Sequence, residues 1–129
     1  MAQKSVFAKF QVPKDTVDKA YQLLQVAKDT GKLRKGTNES TKAIERGIAK
    51  LVVIAEDVEP PQVVAHLPIL CEERKIPYMY VPSKLELGKS AGLDVGSAAI
   101  SLVEPGDAAA SLKEVQKVIE NIRKTGAAK

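Results

Sequence analysis

Leu51-Val52-Val53-Ile54-Ala55-Glu56-Asp57 is an unbroken run of five apolar residues closed by two acids. A strand with one wet face alternates apolar and polar residues. An uninterrupted run instead suits a central strand covered on both faces, the arrangement of α/β proteins. Working outward, Ile76-Pro77-Tyr78-Met79-Tyr80-Val81 reads as a second strand, closed by Pro82-Ser83, and residues 98–103 as a last one. Leu33-Arg34-Lys35-Gly36 reads as a short extended segment at a sheet edge.

The stretches between these strands have helical spacing. Val12-Pro13-Lys14-Asp15 opens a first helix, with the proline where a first turn tolerates it. Val17, Ala20, Tyr21, Leu24 and Ala27 form its apolar face, and Thr30-Gly31 stops it in the manner of a glycine cap. Thr37 or Asn38 is expected to cap a second helix over about 38–49, because either side chain can accept from unpaired backbone N–H groups. Ile44, Ile48 and Leu51 would face inward there, and Glu39, Lys42, Arg46 and Lys50 outward. Pro60-Pro61 opens a third helix carrying Val63, Val64, Leu67, Ile69 and Leu70, which Pro68 kinks or restarts. Ser83 caps a short helix ending near Gly88, and the last helix, about 107–124, offers Leu112, Val115, Ile119 and Ile122 to the core. This alternation predicts an α/β fold: a single-domain, three-layer α/β/α sandwich with a small mixed sheet and an ordered core at about residues 10–124.

Composition narrows the function. The chain has 129 residues, no Trp and only 4% aromatics, so one aliphatic core is expected. The single cysteine, Cys71, excludes an internal disulfide framework and a cysteine-based zinc finger, and fits a reducing compartment. The opening residues MAQKSVFAKFQVPKD lack the apolar run of a signal peptide, and no stretch approaches the ~20 apolar residues of a membrane span. A soluble, cytoplasmic protein is the expectation.

Net charge is +4, and its location matters more than its size. Seven bases (Lys28, Lys32, Arg34, Lys35, Lys42, Arg46, Lys50) face three acids (Asp29, Glu39, Glu45) between positions 28 and 50, which accounts for the whole excess. From 51 to 81 the balance turns to −3, five acids against Arg74 and Lys75. A basic patch confined to one segment points to a polyanion, although a solvated helix face produces the same run.

Several candidate sites are weaker. Gly88-Lys89-Ser90 resembles the end of a phosphate loop, but that motif needs a glycine at position 83, which is Ser. Glu56, Asp57 and Glu59 could hold a metal ion at a strand end, or simply suit the helix start at Pro60-Pro61. His66 is the sole histidine and lies in an apolar stretch, so no Ser/His/Asp system forms around it. Asn38-Glu39-Ser40 matches a glycosylation pattern that a cytoplasmic chain never exposes to that machinery.

The segment from Arg34 to Lys42 is richer. A carboxylate inside a basic patch repels phosphates, but it can accept hydrogen bonds from guanine N1–H or N2–H. Asn38 can both donate and accept at a base edge, and helix N-terminal amides attract a phosphate. The competing reading is a plain capped helix with a charged face, and on the residues alone both stay open.

Arg34-Lys35-Gly36-Thr37-Asn38-Glu39-Ser40-Thr41-Lys42 resembles the RNA-binding signature of the kink-turn-binding ribosomal proteins, the L-seven-Ae family. Ala55-Glu56-Asp57-Val58-Glu59-Pro60, His66-Leu67-Pro68-Ile69-Leu70-Cys71-Glu72, Ile76-Pro77-Tyr78 and Ser83-Lys84-Leu85-Glu86-Leu87-Gly88 resemble its further blocks in the same order, across about residues 10–124. The archaeal large-subunit form is the most similar, and the core proteins of eukaryotic box C/D and H/ACA particles are its relatives.

The resemblance implies binding to a kink-turn, a stem sharply bent at an internal loop with tandem sheared G·A pairs. It assigns base reading to Asn38, Glu39 and Lys42, close backbone approach to Gly36, and phosphate contact to Arg34 and Lys35, with Thr37 inside the same signature. A pocket for an extruded nucleotide maps to Glu59, Val63, Lys84 and Ala98, and a loop covering stacked bases to Leu93-Asp94-Val95. The apolar Val95, where eukaryotic relatives often carry arginine, is similar to the archaeal branch with its wider target range, kink-loops included. The expected partners are ribosomal RNA, box C/D and H/ACA guide RNA, ribonuclease P RNA as a further candidate, and other ribonucleoprotein core proteins. The protein is expected to be a monomer when free of RNA, with no cofactor, no membrane partner and no enzymatic activity. The alternative is a small metal-dependent hydrolase built on Glu56, Asp57 and Glu59.

Overall fold

A computed structural model describes residues 14–124, apart from the side chains of Pro61 and of residues 122–124. Val12 and Pro13, read as the opening of the first helix, and the side chain of Ile122 lie outside what it describes. The elements in order are α1 (Lys14–Thr30), β1 (Lys32–Lys35), α2 (Thr37–Glu45), β2 (Leu51–Ala55), a 3-10 turn (Pro61–Val63), α3 (His66–Arg74), β3 (Tyr78–Val81), α4 (Lys84–Ser90), β4 (Ala99–Glu104), a second 3-10 turn (Gly106–Ala108) and α5 (Ala109–Lys124).

The four strands form one mixed sheet in the order β1-β4-β2-β3. β2 runs parallel to β3, while β4 is antiparallel to both β2 and β1. Every residue of β2 is buried, as its unbroken apolar run requires. β1 sits at the edge with its end lysines exposed, and charged ends of this kind discourage pairing with another chain. α2 packs on α3, and α1 packs on α4 and α5, so the helices fall into two contact groups about the sheet.

The core is aliphatic. Leu23, Leu24, Ile44, Leu51, Ile54, Leu67, Leu87, Ile100, Leu102 and Ile119 are fully buried, each worth about 1.5–3 kcal/mol relative to exposure. In β3, Tyr78 and Tyr80 meet edge to face at 6.4 Å, and the buried Tyr78 hydroxyl donates to Glu72 at 2.8 Å. Across the surface, Lys19 of α1 donates to Glu114 of α5 at 2.8 Å, and that bond, reinforced by the lysine's charge, holds the carboxyl below its ordinary range.

The structure corrects several boundaries. α2 ends at Glu45 rather than 49, so Arg46 is its C-cap, and Lys50 leaves the outer helical face altogether. Residues 61–63 form a 3-10 turn, and α3 starts only at His66. Pro68 therefore lies in the first turn of α3, where its missing N–H has no partner to lose, and no kink is needed. β3 begins at Tyr78, after Pro77, and α4 runs two residues past Gly88. Gly31 is not in the left-handed region of a glycine cap. It is small because a Cβ there would lie 2.0 Å from the Glu104 carbonyl oxygen.

Cys71 lies fully buried in α3. Burial, with a smaller contribution from the Glu72 charge, pushes its thiol up to about 12. An unfolded cysteine ionises near 8.5, so between there and about 12 the unfolded chain releases a proton that the folded chain retains. Stability should fall with rising pH across that window, and Cys71→Ala should flatten the slope of the denaturation midpoint against pH. At pH 8 a thiol reagent should modify the native protein only as fast as it opens.

Candidate nucleic-acid interface

Gly36 is the N-cap of α2, with φ +97° and ψ 163°, a conformation open almost only to glycine. This overturns the expected capping by Thr37 or Asn38, both of which stand inside the first turn. The consequence is chemical. No side chain caps the helix, so Asn38 and Glu39 are not consumed by its backbone and lie exposed to solvent. A Cβ on Gly36 would meet nothing within 4 Å, so the backbone here faces open space. Gly36→Ala should therefore cost about 1–3 kcal/mol through the backbone alone, without a clash. Its denaturation midpoint should drop modestly.

Lys42 Nζ lies 3.7 Å from Glu39 Oε2, with both side chains about half exposed. A pair that long and that wet contributes little. It leaves the carboxylate available to accept and the ammonium available to a phosphate. Lys35 is exposed and Arg34 half-buried beside it on β1, so Asn38 and Glu39 on one side and these two cations on the other flank one backbone turn.

A web of backbone contacts joins the second set of residues to this turn. The Gly36 amide donates to the Ala99 carbonyl at 2.8 Å, and the Ala55 amide donates to Ala98 at 2.9 Å. The Lys84 amide donates to Asp57 Oδ1 at 2.8 Å, and the Lys84 carbonyl accepts from Ser97 N at 3.0 Å. The end of β1, the start of β4, the turn after β2 and the start of α4 are thus tied together at one end of the sheet. That end carries the carboxyl termini of the parallel strands β2 and β3, where open α/β sheets place ligands.

Of the predicted pocket residues, Lys84 and Ala98 lie within this web, while Glu59 is exposed beside it on the turn after β2. Val63 stands exposed at 43% on the 3-10 turn, and Val95 at 66% on the loop that precedes β4. That loop is seated on α4: a Cβ on Gly88 would lie 2.1 Å from the Val95 carbonyl oxygen, and one on Gly96 3.1 Å from Lys84 Cγ. Leu93 N donates to the Gly88 carbonyl at 2.9 Å, fixing the start of the Leu93-Asp94-Val95 segment. Gly88 is therefore helical and not part of a phosphate loop.

Asp57 and Lys28 make contacts that their sequence neighbourhoods do not announce. Asp57 joins no metal site among the described residues; it accepts from the first amide of α4, 27 positions away. Among the described residues no three His, Cys, Asp or Glu side chains converge as metal ligands, so Glu56, Asp57 and Glu59 do not assemble the centre that the hydrolase reading requires. Lys28 had a charge but no place: its side chain lies over Gly92, beside the same loop. Neither contact leaves a local signal, since each partner is distant in sequence.

A surface groove of about 480 Å³ lies elsewhere, lined by Pro77, Lys113, Gln116 and Lys117 at the start of β3 and along α5. Among the described residues no helix is long and apolar enough to cross a membrane.

Comparison with known proteins agrees with this architecture. Residues 18–111 match the model of the ribosomal protein L7Ae/L30e/S12e/Gadd45 family. Among solved structures, the chain is similar to the 15.5kD RNA binding protein of Giardia lamblia, at 27% identity and a TM-score of 0.82, over 87% of this chain and 93% of that one. With the fold, the order of its sequence blocks and a match across most of its length in agreement, the chain belongs to the ribosomal protein L7Ae/L30e/S12e/Gadd45 family.

Proposed function

We propose that this protein is a non-enzymatic RNA-binding protein that recognises kink-turn and kink-loop RNA and holds it in the bent state. The observation that carries the reading is the glycine-capped start of α2, which leaves Asn38 and Glu39 exposed and uncommitted between Arg34, Lys35 and Lys42. Cations alone would bind any nucleic acid backbone. An acceptor among them suits base edges, and duplex RNA opens its deep groove to side chains only where it is distorted. The family, and the RNA-binding protein it resembles in structure, support an RNA partner.

In this reading Asn38, Glu39 and Lys42 face the sheared G·A pairs, with Thr37 in the same turn. Gly36 admits the backbone, and Arg34 and Lys35 meet phosphates. Glu59, Val63, Lys84 and Ala98 surround an extruded nucleotide, Glu59 accepting from its N–H, and Leu93, Asp94 and Val95 cover stacked bases. Binding shifts the RNA from a partly open internal loop to the bent form that later proteins recognise. The protein would act as one domain, monomeric and cytoplasmic before it meets RNA. It would serve in the large ribosomal subunit, as the first-binding core protein of box C/D and H/ACA guide particles, and with ribonuclease P RNA.

The test is titration of a short kink-turn stem beside the same stem with both G·A pairs replaced by Watson–Crick pairs, each at moderate and high salt. Tight binding to the first that is largely lost on the second is the expected result. Equal binding to both would overturn the proposal and leave plain basic adhesion.

A further inference from the structure

His66 and Thr41 carry no role in the reading above, yet they touch. Thr41 Oγ1 lies 2.8 Å from the Thr37 carbonyl oxygen and 2.8 Å from His66 Nε2. A hydroxyl has one proton, and the Thr37 carbonyl can only accept. Both bonds exist together only if Thr41 donates to Thr37 while His66 donates to Thr41, which places the histidine's proton on Nε2. The reverse arrangement, Thr41 donating to the ring, would forfeit one of the two bonds.

The donor chain therefore runs from His66 Nε2 to Thr41 Oγ1 to the carbonyl of Thr37. His66 is the first residue of α3, and Thr37 is the first of α2. The turn that receives the last bond carries Asn38 and Glu39, and no side chain caps it. We propose that His66 is a positioning residue for RNA recognition: acting through Thr41, it braces the first turn of α2 from the neighbouring helix and holds the base-reading side chains in their binding pose. This rests on the α2 start being the RNA-reading element.

His66→Phe keeps a ring and removes the donor, and Thr41→Val keeps the shape and removes the hydroxyl. Each should weaken kink-turn binding by about two- to tenfold, the range of one hydrogen bond. Affinity for the Watson–Crick stem at low salt should not change. His66→Gln, whose amide nitrogen sits the same number of bonds from the backbone, should restore most of the affinity. The double variant should be no weaker than Thr41→Val alone, because that variant already removes both bonds of the chain.

Imidazole nitrogen resonances of the wild-type protein supply a readout that needs no variant to fold. A proton on Nε2 is expected, and an Nε2 that carries none would overturn the proposal. So would variants that lose thermal stability yet bind the kink-turn unchanged at a temperature where they are folded. If the wild-type protein itself fails to prefer the kink-turn, the functional reading falls and this inference falls with it. A wild-type preference that survives His66→Phe and Thr41→Val sinks the inference alone.

Discussion

Glu39→Gln is expected to weaken kink-turn binding by about 1–3 kcal/mol, a loss of roughly five- to 150-fold. The substitution keeps the shape of the side chain and one acceptor oxygen. It removes the charge that makes hydrogen bonds to a carboxylate about twice as strong as neutral ones, and it turns an N–H₂ donor toward donors on guanine. Plain electrostatics predicts the opposite sign. The variant has one more net positive charge, and Lys42 loses its acidic neighbour at 3.7 Å. Both changes should tighten adhesion to any phosphate backbone. Titration against the kink-turn stem and its Watson–Crick counterpart at two salt concentrations separates the cases. Weaker kink-turn binding with a similar salt slope establishes base reading, whereas tighter binding to both stems would leave Glu39 without a role in recognition.

Gly88→Ala should cost the fold about 3 kcal/mol and impair RNA binding at the same time. Its Cβ would sit 2.1 Å from the Val95 carbonyl oxygen and 3.1 Å from Gly96 Cα, so backbone rather than a flexible side chain stands in the way. Relief requires the loop before β4 to lift from α4. That strains the Leu93 N to Gly88 O and Ser97 N to Lys84 O bonds, and shifts Leu93-Asp94-Val95 off α4. A lower denaturant midpoint, with reduced affinity measured where the variant is folded, is the expected pair of results. A normal midpoint would mean that the loop has no fixed seat on the helix. Gly36→Ala provides the contrast, since its cost is conformational and its Cβ would meet open space.

How far the sequence could be read follows from how local each determinant is. The apolar run 51–55 became the fully buried strand β2, and the helical spacing from Val17 to Ala27 became α1, with Ala20, Leu24 and Ala27 buried. Ser83 caps α4 as expected, accepting from Glu86 N at 3.2 Å, because a cap needs only its own backbone and the next turn. Helix α2 was read four residues too long, since its outward charges continue the helical period after the backbone turns at Gly47, where φ is +72°. The cap of that helix was assigned by residue preference, yet tertiary geometry won: the Gly36 amide is held by Ala99 on β4, and the backbone there demands glycine.

By itself, the sequence determined the fold class, the aliphatic core, the basic segment at positions 28–50 and the family to which these blocks belong. Periodicity, charge and motif order are properties of neighbours along the chain, and they survive without coordinates. Only the tertiary structure decided the strand order β1-β4-β2-β3, with β4 entering between β1 and β2. It also turned Asp57 from a candidate metal ligand into the brace of α4 and linked His66 to Thr41 across 25 positions. Contacts of that kind depend on where separate elements come to rest against one core. No local preference encodes them, because each partner lies some 25 positions or more away along the chain and is brought near only by the tertiary fold.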